Sequence, residues 1–151
     1  MRSAVSYRAS NPALILLVDD NHDGIVARRS VLEELGYKVI SACCGSEALE
    51  LASRQNFDLI ITDYRMKPMD GLEFIAEVRA RGYQKPVILL SGFADSLGLQ
   101  EQNTGADVVI QKSANEISAL LRHTKRLLNP KKPVKSPARS NRRGSAGRAE
   151  A

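Results

Sequence analysis

Carboxylate side chains stand directly after two strongly apolar runs of this chain. Residues 13–18 are apolar throughout and are followed by Asp19 and Asp20, and residues 59–62 are apolar or β-branched and are followed by Asp63. Each run is long enough for one buried strand and too short for an independent helix. An acid at the carboxyl end of a buried parallel strand lies where open α/β sheets bind their ligands.

Two further polar side chains follow apolar runs in the same way. Ser91 ends the run at 86–90, and Lys112 lies just beyond the run at 107–110. If all four runs are parallel strands, these side chains and the carboxylates meet at one edge of a sheet. Two carboxylates about 4 Å apart repel by about 4 kcal/mol at an effective dielectric of about 20. Either one acid therefore binds a proton, or a hard divalent cation lies among the acids.

The chemistry that these side chains support is phosphoryl transfer. Mg²⁺ takes one or two protein carboxylates and keeps its other positions for water and phosphate oxygens. Lys112 offers a positive charge to a phosphoryl oxygen, and Ser91 offers a hydroxyl that can donate a hydrogen bond. Asp63 is the predicted nucleophile. A carboxylate is a weak nucleophile, so the donor must be an activated phosphoryl compound.

The elements that must position these residues are strands alternating with helices. Ile25, Val31, Leu32 and Leu35 recur at helical spacing, and Gly36 ends that helix. Strands are predicted at 13–18, 37–42, 57–63, 86–90 and 107–110, and helices within 25–35, 45–53, 72–78, 95–103 and 117–128. Right-handed crossovers then predict an α/β, flavodoxin-like three-layer fold with five helices and a five-stranded parallel sheet in order 2-1-3-4-5.

Composition and charge limit the chain to one folded domain with two extensions. The 151 residues carry a formal net charge of +5, but residues 131–151 hold seven Lys or Arg against Glu150, so the remainder is not basic. We predict a flexible segment at 1–12, a domain at 13–129 and a disordered, basic Pro/Ser/Arg-rich tail at 130–151. This tail would bind anionic partners weakly and without sequence preference, or be a solvated extension.

No transmembrane run or secretory signal is evident, and the cysteines do not suggest an oxidising compartment. Cys43 and Cys44 are neighbours, with Cα atoms only about 3.8 Å apart, closer than disulfide geometry normally accepts. The cytoplasm is therefore the expected location. We expect the two cysteines to be small buried residues, and His22 and His123 have no partners at metal-ligand spacing.

The chain resembles the receiver domain of two-component response regulators, and is similar to the single-domain chemotaxis type. The resemblance runs from about residue 13 to 128 and rests on four motifs, LLVDDNHD, DYRMKPMDG, PVILLSG and GADVVIQK. It implies a stand-alone bacterial signalling phosphoprotein that is not an enzyme beyond its own phosphorylation and dephosphorylation. A histidine kinase or phosphotransfer protein would donate the phosphoryl group. A downstream protein would bind the face formed by the fourth helix, fifth strand and fifth helix.

Carried over by position, the resemblance assigns a role to each site residue. Asp63 is the phosphoacceptor and, with Asp20, a direct Mg²⁺ ligand. Asp19 would act mainly through bound water, and the backbone carbonyl of Arg65 would complete the protein ligands. Ser91 would follow the phosphoryl group during switching, and Lys112 would pair with it.

Two positions depart from the family pattern. Ser113 follows the active-site lysine where receivers usually have a proline, commonly after a cis bond, so the peptide bond here is either trans or strained. Val109 stands where the family often has a Tyr or Phe that swings with the hydroxyl residue. We expect switching to be muted, or to travel through backbone shifts near Ser91.

Other interpretations of these residues remain open. Asp19 and Asp20 could be helix N-caps, whereas Asp70 is predicted to be a turn and capping residue. A pseudo-receiver that serves only as an interaction module would keep the fold while Asp63 stays unmodified. The chain could also be the receiver part of a hybrid histidine kinase. An aspartyl-phosphate hydrolase would need a general acid where Arg65 stands, and a flavin phosphate would be repelled by the acids after the first strand.

Overall fold

The computed structural model of the protein describes residues 12–92 and 97–129, and all strand pairs in this part of the chain are parallel. The strands are β1 (Leu14–Val18), β2 (Lys38–Ala42), β3 (Leu59–Asp63), β4 (Val87–Ser91) and β5 (Val108–Gln111). The helices are α1 (His22–Glu34), α2 (Gly45–Arg54), α3 (Gly71–Ala80), α4 (Glu101–Thr104) and α5 (Glu116–Leu128). The strand order β2-β1-β3-β4-β5 confirms the predicted flavodoxin-like topology.

The core lies on both faces of the sheet. Successive side chains of a strand point to opposite faces, so Leu16 and Ile60 pack on the side of α2 and α3. Their neighbours Ile15 and Ile61 pack on the side of α1 and α5. Burial on both faces explains why the strands are continuously apolar rather than alternating.

Local sequence signals fix where the helices begin and end. The Asn21 side chain accepts a hydrogen bond from the Gly24 amide at 3.0 Å and caps α1. Asp70 and Glu73 form a reciprocal capping box at the start of α3, as expected for Asp70. Gly36 follows α1 with a φ of +96°, a left-handed conformation that favours glycine.

The buried face of α1 differs from the predicted one. Its buried residues are Ile25, Arg28 and Leu32, whereas Leu35 is 39% exposed. The apolar positions indicated the helix correctly, but the inner stripe includes an arginine between two aliphatic residues. That arginine turns out to belong to the candidate site.

The prediction that Cys43 and Cys44 are buried was wrong. Cys43 is exposed and Cys44 is partly exposed. Both residues follow β2, which is an edge strand, and lie in the connection to α2 rather than in the sheet. An apolar-looking residue in such a connection has no second layer to cover it.

The region between β4 and β5 is described only in part. The helix predicted at 95–103 overlaps α4, which begins after Gly98, whose φ is +67°. Residues 93–96 lie outside the described residues, as do the predicted tail at 130–151 and the predicted N-terminal segment except for residue 12. Among the residues that are described, no helix is long and apolar enough to cross a membrane.

Candidate functional site

The carboxyl-terminal edge of the sheet gathers the chemically active side chains. Asp19 follows β1 directly, Asp63 is the last residue of β3, Ser91 is the last residue of β4, and Lys112 follows β5. One carboxylate oxygen from each of Asp19, Asp20 and Asp63 lies within 4.8 Å of the other two. The parallel topology brings these residues together although they are distant in sequence.

Asp63 is a buried carboxylate with one cationic neighbour. Its side chain is 5% exposed, and its Oδ1 forms an ion pair with Lys112 Nζ. Oδ1 is buried and, apart from this ion pair, has no hydrogen-bond donor among the described residues. Burial raises the pKa of Asp63, and the negative charge of Asp19 raises it further, against the opposing effects of Lys112 and Arg28.

Both oxygens of Asp19 already have partners. Oδ1 accepts a hydrogen bond from the Asn21 amide at 2.9 Å, and Oδ2 accepts one from Arg28 Nη1 at 2.6 Å. The residue is 2% exposed. Asp19 is therefore oriented from two sides, which is compatible with the expectation that it acts on a cation through water rather than directly.

A divalent cation fits the remaining charge. The ion pairs and the acid cluster of the described residues bring together four carboxylates and two cationic side chains. The cations are Arg28 and Lys112, and the carboxylates are those of Asp19, Asp20, Asp63 and Glu116. Asp20 is exposed, and one of its carboxylate oxygens lies within 4.8 Å of an Asp63 oxygen, so both side chains can offer an oxygen to one shared ion. Hard oxygen donors with surplus negative charge suit Mg²⁺.

The backbone ties the lysine loop to the end of β4. The Lys112 amide donates to the Ser91 carbonyl at 2.8 Å, and Gln111 Nε2 donates to the Gly92 carbonyl at 2.7 Å. Ser91 is buried, with 1% exposure. The Lys112–Ser113 peptide bond is trans. The backbones of Ser91 and Lys112 are thus joined by a direct hydrogen bond.

Arg65 lies two residues beyond Asp63 in the connection between β3 and α3, and its side chain is exposed. Its predicted role uses the backbone carbonyl and not the guanidinium, so this exposure does not bear on the role. The carbonyl of Arg65 as a metal ligand stays a prediction. The alternative assignment of Asp19 or Asp20 as a helix cap was wrong, because Asn21 caps α1.

Arg28 and Glu116 are the site residues that the sequence pattern did not identify. Arg28 Nε donates to Glu116 Oε2 at 2.6 Å, across 88 residues of sequence. Burial alone would lower the pKa of Arg28, but hydrogen bonds and charges from Glu116 and Asp19 raise it above its usual range. The one available signal was the spacing Ile25–Arg28–Leu32, which places an arginine on the apolar face of α1.

Comparison with protein families identifies most of the folded region. The model of the response regulator receiver domain matches residues 15–124. The transcriptional regulatory protein GlrR of Escherichia coli is 39% identical over 80 residues, 53% of this chain and 18% of that protein. The regulatory protein PhoP of Bacillus subtilis is 34% identical over 111 residues, 70% of this chain and 45% of that protein. The virulence sensor protein BvgS of Bordetella pertussis is 35% identical over 91 residues, 58% and 7% of the two chains. The chain thus spans less than half the length of these relatives.

Solved structures are similar over most of the chain. The chemotaxis protein CheY4 of Vibrio cholerae has a TM-score of 0.66 and 33% identity, covering 78% of this chain and 100% of that one. The response regulator TrrA of Thermotoga maritima, solved with Mg²⁺ and BeF, has a TM-score of 0.68 and 33% identity, covering 77% and 99% of the two chains. A response regulator similar to this chain therefore forms a complex with Mg²⁺ and BeF.

Proposed function

Because this chain belongs to the response regulator receiver domain family, we propose that it accepts a phosphoryl group on Asp63 in a Mg²⁺-dependent reaction. The donor would be the phosphohistidine of a histidine kinase or a phosphotransfer protein. The observation that carries the proposal is the buried Asp63 carboxylate, in reach of two further acids and in contact with Lys112. We further propose that the protein signals to a partner and turns over no separate substrate.

The chemistry follows from the positions of the chain's own residues. An Asp63 oxygen attacks the phosphorus, a new O–P bond forms, and the P–N bond of the phosphohistidine breaks. The imidazole leaves with the electron pair and takes up a proton from solvent. Asp20, Asp63 and the Arg65 carbonyl would hold Mg²⁺ directly and Asp19 through water. When bound, the ion supplies positive charge for the phosphoryl oxygens.

Lys112 and Ser91 would act on the transferred group. The Lys112 ammonium, which now contacts Asp63, is proposed to pair with a phosphoryl oxygen, because the charge on the aspartate oxygen is lost when it becomes an acyl phosphate. The Ser91 hydroxyl would donate to another of these oxygens. The linked backbone of Ser91 and Lys112 supports a coordinated shift of both residues toward the phosphoryl group.

The proposed output is the face formed by α4, β5 and α5. Val109, in β5, is half-buried, and its amide donates to Glu101 Oε2 of α4 at 3.1 Å. This contact joins the β5 backbone to a side chain of α4, and so supports a route for switching that does not require rotation of a large aromatic side chain.

A test of phosphorylation is direct. We expect incubation with acetyl phosphate or phosphoramidate and Mg²⁺ to add one phosphoryl group by intact mass, and chelation of Mg²⁺ to prevent it. Asp63→Asn should abolish the adduct. Asp58→Asn is the matched control. Asp58 directly precedes the same strand, at the opposite end from Asp63, and its carboxylate accepts a hydrogen bond from the Leu14 amide. An adduct that persists in Asp63→Asn would refute the site.

The pseudo-receiver remains a second candidate for a specific reason. Arg28 holds Asp19, and Lys112 holds Asp63, so internal cations already neutralise two of the three acids. Wild-type protein that gains no phosphoryl group from either donor at saturating Mg²⁺ would favour this candidate. A receiver within a hybrid histidine kinase is a further candidate, because the probable histidine kinase 1 of Oryza sativa is 38% identical over 72 residues; stand-alone status stays a prediction.

A further inference from the structure

Arg28 is an unusual component of this site. It is 6% exposed, and it lies on the face of α1 that packs against the sheet, between Ile25 and Leu32. One guanidinium nitrogen donates to Asp19 at 2.6 Å and another donates to Glu116 at 2.6 Å. A buried cation thus bridges an acid of the site to the first residue of α5.

The surrounding backbone leaves room for this bridge. A Cβ atom at Gly24 would lie 2.7 Å from Asp19 Oδ2 and 2.9 Å from Arg28 Nη1, the two atoms that form the ion pair. No side chain larger than hydrogen therefore fits at position 24 without displacing the pair. The glycine, the arginine and the two acids form one packed unit.

We propose that Arg28 is a positioning residue that serves Asp19 as an internal counter-ion, so that it opposes the binding of a divalent cation at the acid cluster, whereas Glu116 favours binding. The inference rests on the proposed function in taking Mg²⁺ as the cation. It adds a residue on α1 and a residue on α5 that set how readily the site accepts the ion.

The opposite signs follow from how the guanidinium is shared. Arg28 places positive charge on an Asp19 oxygen, which weakens the field that attracts an external cation. The negative charge of Glu116 partly offsets the positive charge that Arg28 presents to Asp19. Without Glu116, the charge of Arg28 acts on Asp19 alone; without Arg28, Asp19 is left with its Asn21 hydrogen bond and its full negative charge.

The arrangement also links the site to α5. Glu116 begins α5, and Lys112 lies four residues before it in the same connection. Because coupling between two equilibria is reciprocal, a cation that draws Asp19 away from Arg28 must change the Arg28–Glu116 contact by the same free energy with which that contact changes cation affinity. Occupancy of the site by a cation would thus change the Arg28–Glu116 contact at the start of α5.

The experiment is calorimetric titration of the purified chain with MgCl₂, without any phosphoryl donor. We expect Arg28→Met to bind Mg²⁺ about tenfold more tightly than wild type, and Glu116→Gln to bind it several-fold more weakly. Arg28→Lys, which keeps the charge but loses the fork that reaches both acids, should lie between wild type and Arg28→Met. Loss of packing alone would not tighten cation binding.

The matched control is Arg29→Met. Arg29 is the next residue of the same helix, and its guanidinium bonds Ser41 Oγ at 3.0 Å instead of an acid of the site. We expect its Mg²⁺ affinity to stay within about twofold of wild type, because it removes the same charge without touching Asp19. An equal gain of affinity in Arg29→Met would overturn the specific role of Arg28.

Folding of Arg28→Met is a separate question, because the change leaves two acids unpaired. The double variant Arg28→Met/Glu116→Gln removes the cation together with one of them. It should bind Mg²⁺ more tightly than wild type but less tightly than Arg28→Met, since Arg28 contacts Asp19 directly and Glu116 does not. The comparison of the double variant with wild type can be measured even if Arg28→Met does not fold.

The outcomes separate this inference from the proposed function. Wild-type binding with unchanged or weaker binding in Arg28→Met and in the double variant would overturn the inference and leave the function standing. Binding in the Arg28 variants but none in wild type would support the inference and overturn Mg²⁺-dependent phosphorylation of the natural sequence. Binding in neither would overturn both.

Discussion

An arginine forms ion pairs with acidic side chains at both the amino-terminal and the carboxyl-terminal edge of the sheet, but the two arginines differ in their other partners. At the amino-terminal edge, Arg79 of α3 donates to the carbonyls of Tyr83, Lys85 and Gly105 and to the Asp107 carboxylate. The same Asp107 oxygen accepts the Val87 amide at 2.9 Å. At the carboxyl-terminal edge, Arg28 bonds only carboxylates among the contacts described above.

The difference separates structural from functional polar chemistry. Arg79 satisfies neutral carbonyls and one acid, so its charge is balanced and its donors are used. At the other edge acids outnumber cations, and Asp63 keeps a buried oxygen that lacks a hydrogen bond. Surplus charge and unsatisfied oxygens cost stability. A site that must accept a cation and a phosphoryl group requires both features, so stability and function are provided at opposite edges.

The largest effect is expected at the structural edge. Arg79→Met should lower the free energy of unfolding by about 3 kcal/mol, because three carbonyls lose the donor that Arg79 supplies and Asp107 loses its ion pair. Chemical denaturation measures the change. Arg81→Met is the matched control. The Arg81 side chain is about half exposed and forms an ion pair with Glu77, one turn earlier, so a change within about 0.5 kcal/mol is expected.

Mg²⁺ titration sharpens the same comparison. Folded Arg79→Met should bind Mg²⁺ as wild type does, since its contacts lie at the edge of the sheet remote from the acids. A change in Mg²⁺ affinity as large as that of Arg28→Met would mean that the two edges are not separate, and that the division between structural and functional polar groups is wrong.

A smaller effect is expected from Gly71→Ala. A Cβ atom there would lie 2.5 Å from the Asp63 carbonyl oxygen and 2.9 Å from Tyr64 Cα, both backbone atoms that cannot move independently of the site. We expect a loss of about 2 kcal/mol in unfolding free energy and slower phosphorylation by acetyl phosphate. Denaturation and the intact-mass time course measure the two effects.

Gly92→Ala is the matched control at the same edge. No heavy atom lies within 4 Å of the Cβ position at Gly92, so alanine should be tolerated there with little change in stability. Equal losses in both variants would show that the edge is sensitive to any added methyl group, and that the close approach at Gly71 is not the cause.

The fold could be predicted from sequence because each strand carries its own signal. Continuous apolar runs separated by helical spacing determine the number of strands, and crossover handedness restricts their order. The acids stood out because they end those runs. Arg28 and Glu116 did not, because arginine on a helix is ordinarily solvent-exposed and its partner lies 88 residues away. The prediction for Cys43 and Cys44 was wrong because it relied on residue type alone, whereas both residues lie after the end of β2, in the connection to α2.

The smallest predicted effect is a gain in stability from Asp63→Asn. Because burial raises the pKa of Asp63 above its usual 3.8, the folded protein holds this proton more tightly than the unfolded chain does. Ionising Asp63 therefore costs stability, and the cost appears as the pH rises from the unfolded value through the folded one. Above both values, Asp63→Asn should be more stable than wild type, and below pH 3.8 the difference should vanish.

Asp107→Asn at the opposite edge makes this comparison discriminating. Asp107 accepts charge-assisted bonds from Arg79 and from the Val87 amide, so its loss should destabilise the protein at the same neutral pH at which loss of Asp63 stabilises it. Mg²⁺ should reduce the gain in stability of Asp63→Asn over wild type. The ion binds folded wild type and supplies the positive charge that balances the Asp63 carboxylate. If both substitutions destabilise the protein at neutral pH without Mg²⁺, the ion pair with Lys112 stabilises ionised Asp63 by more than burial destabilises it. Ionised Asp63 would then not destabilise the folded protein, and a bound cation would have no such destabilisation to offset.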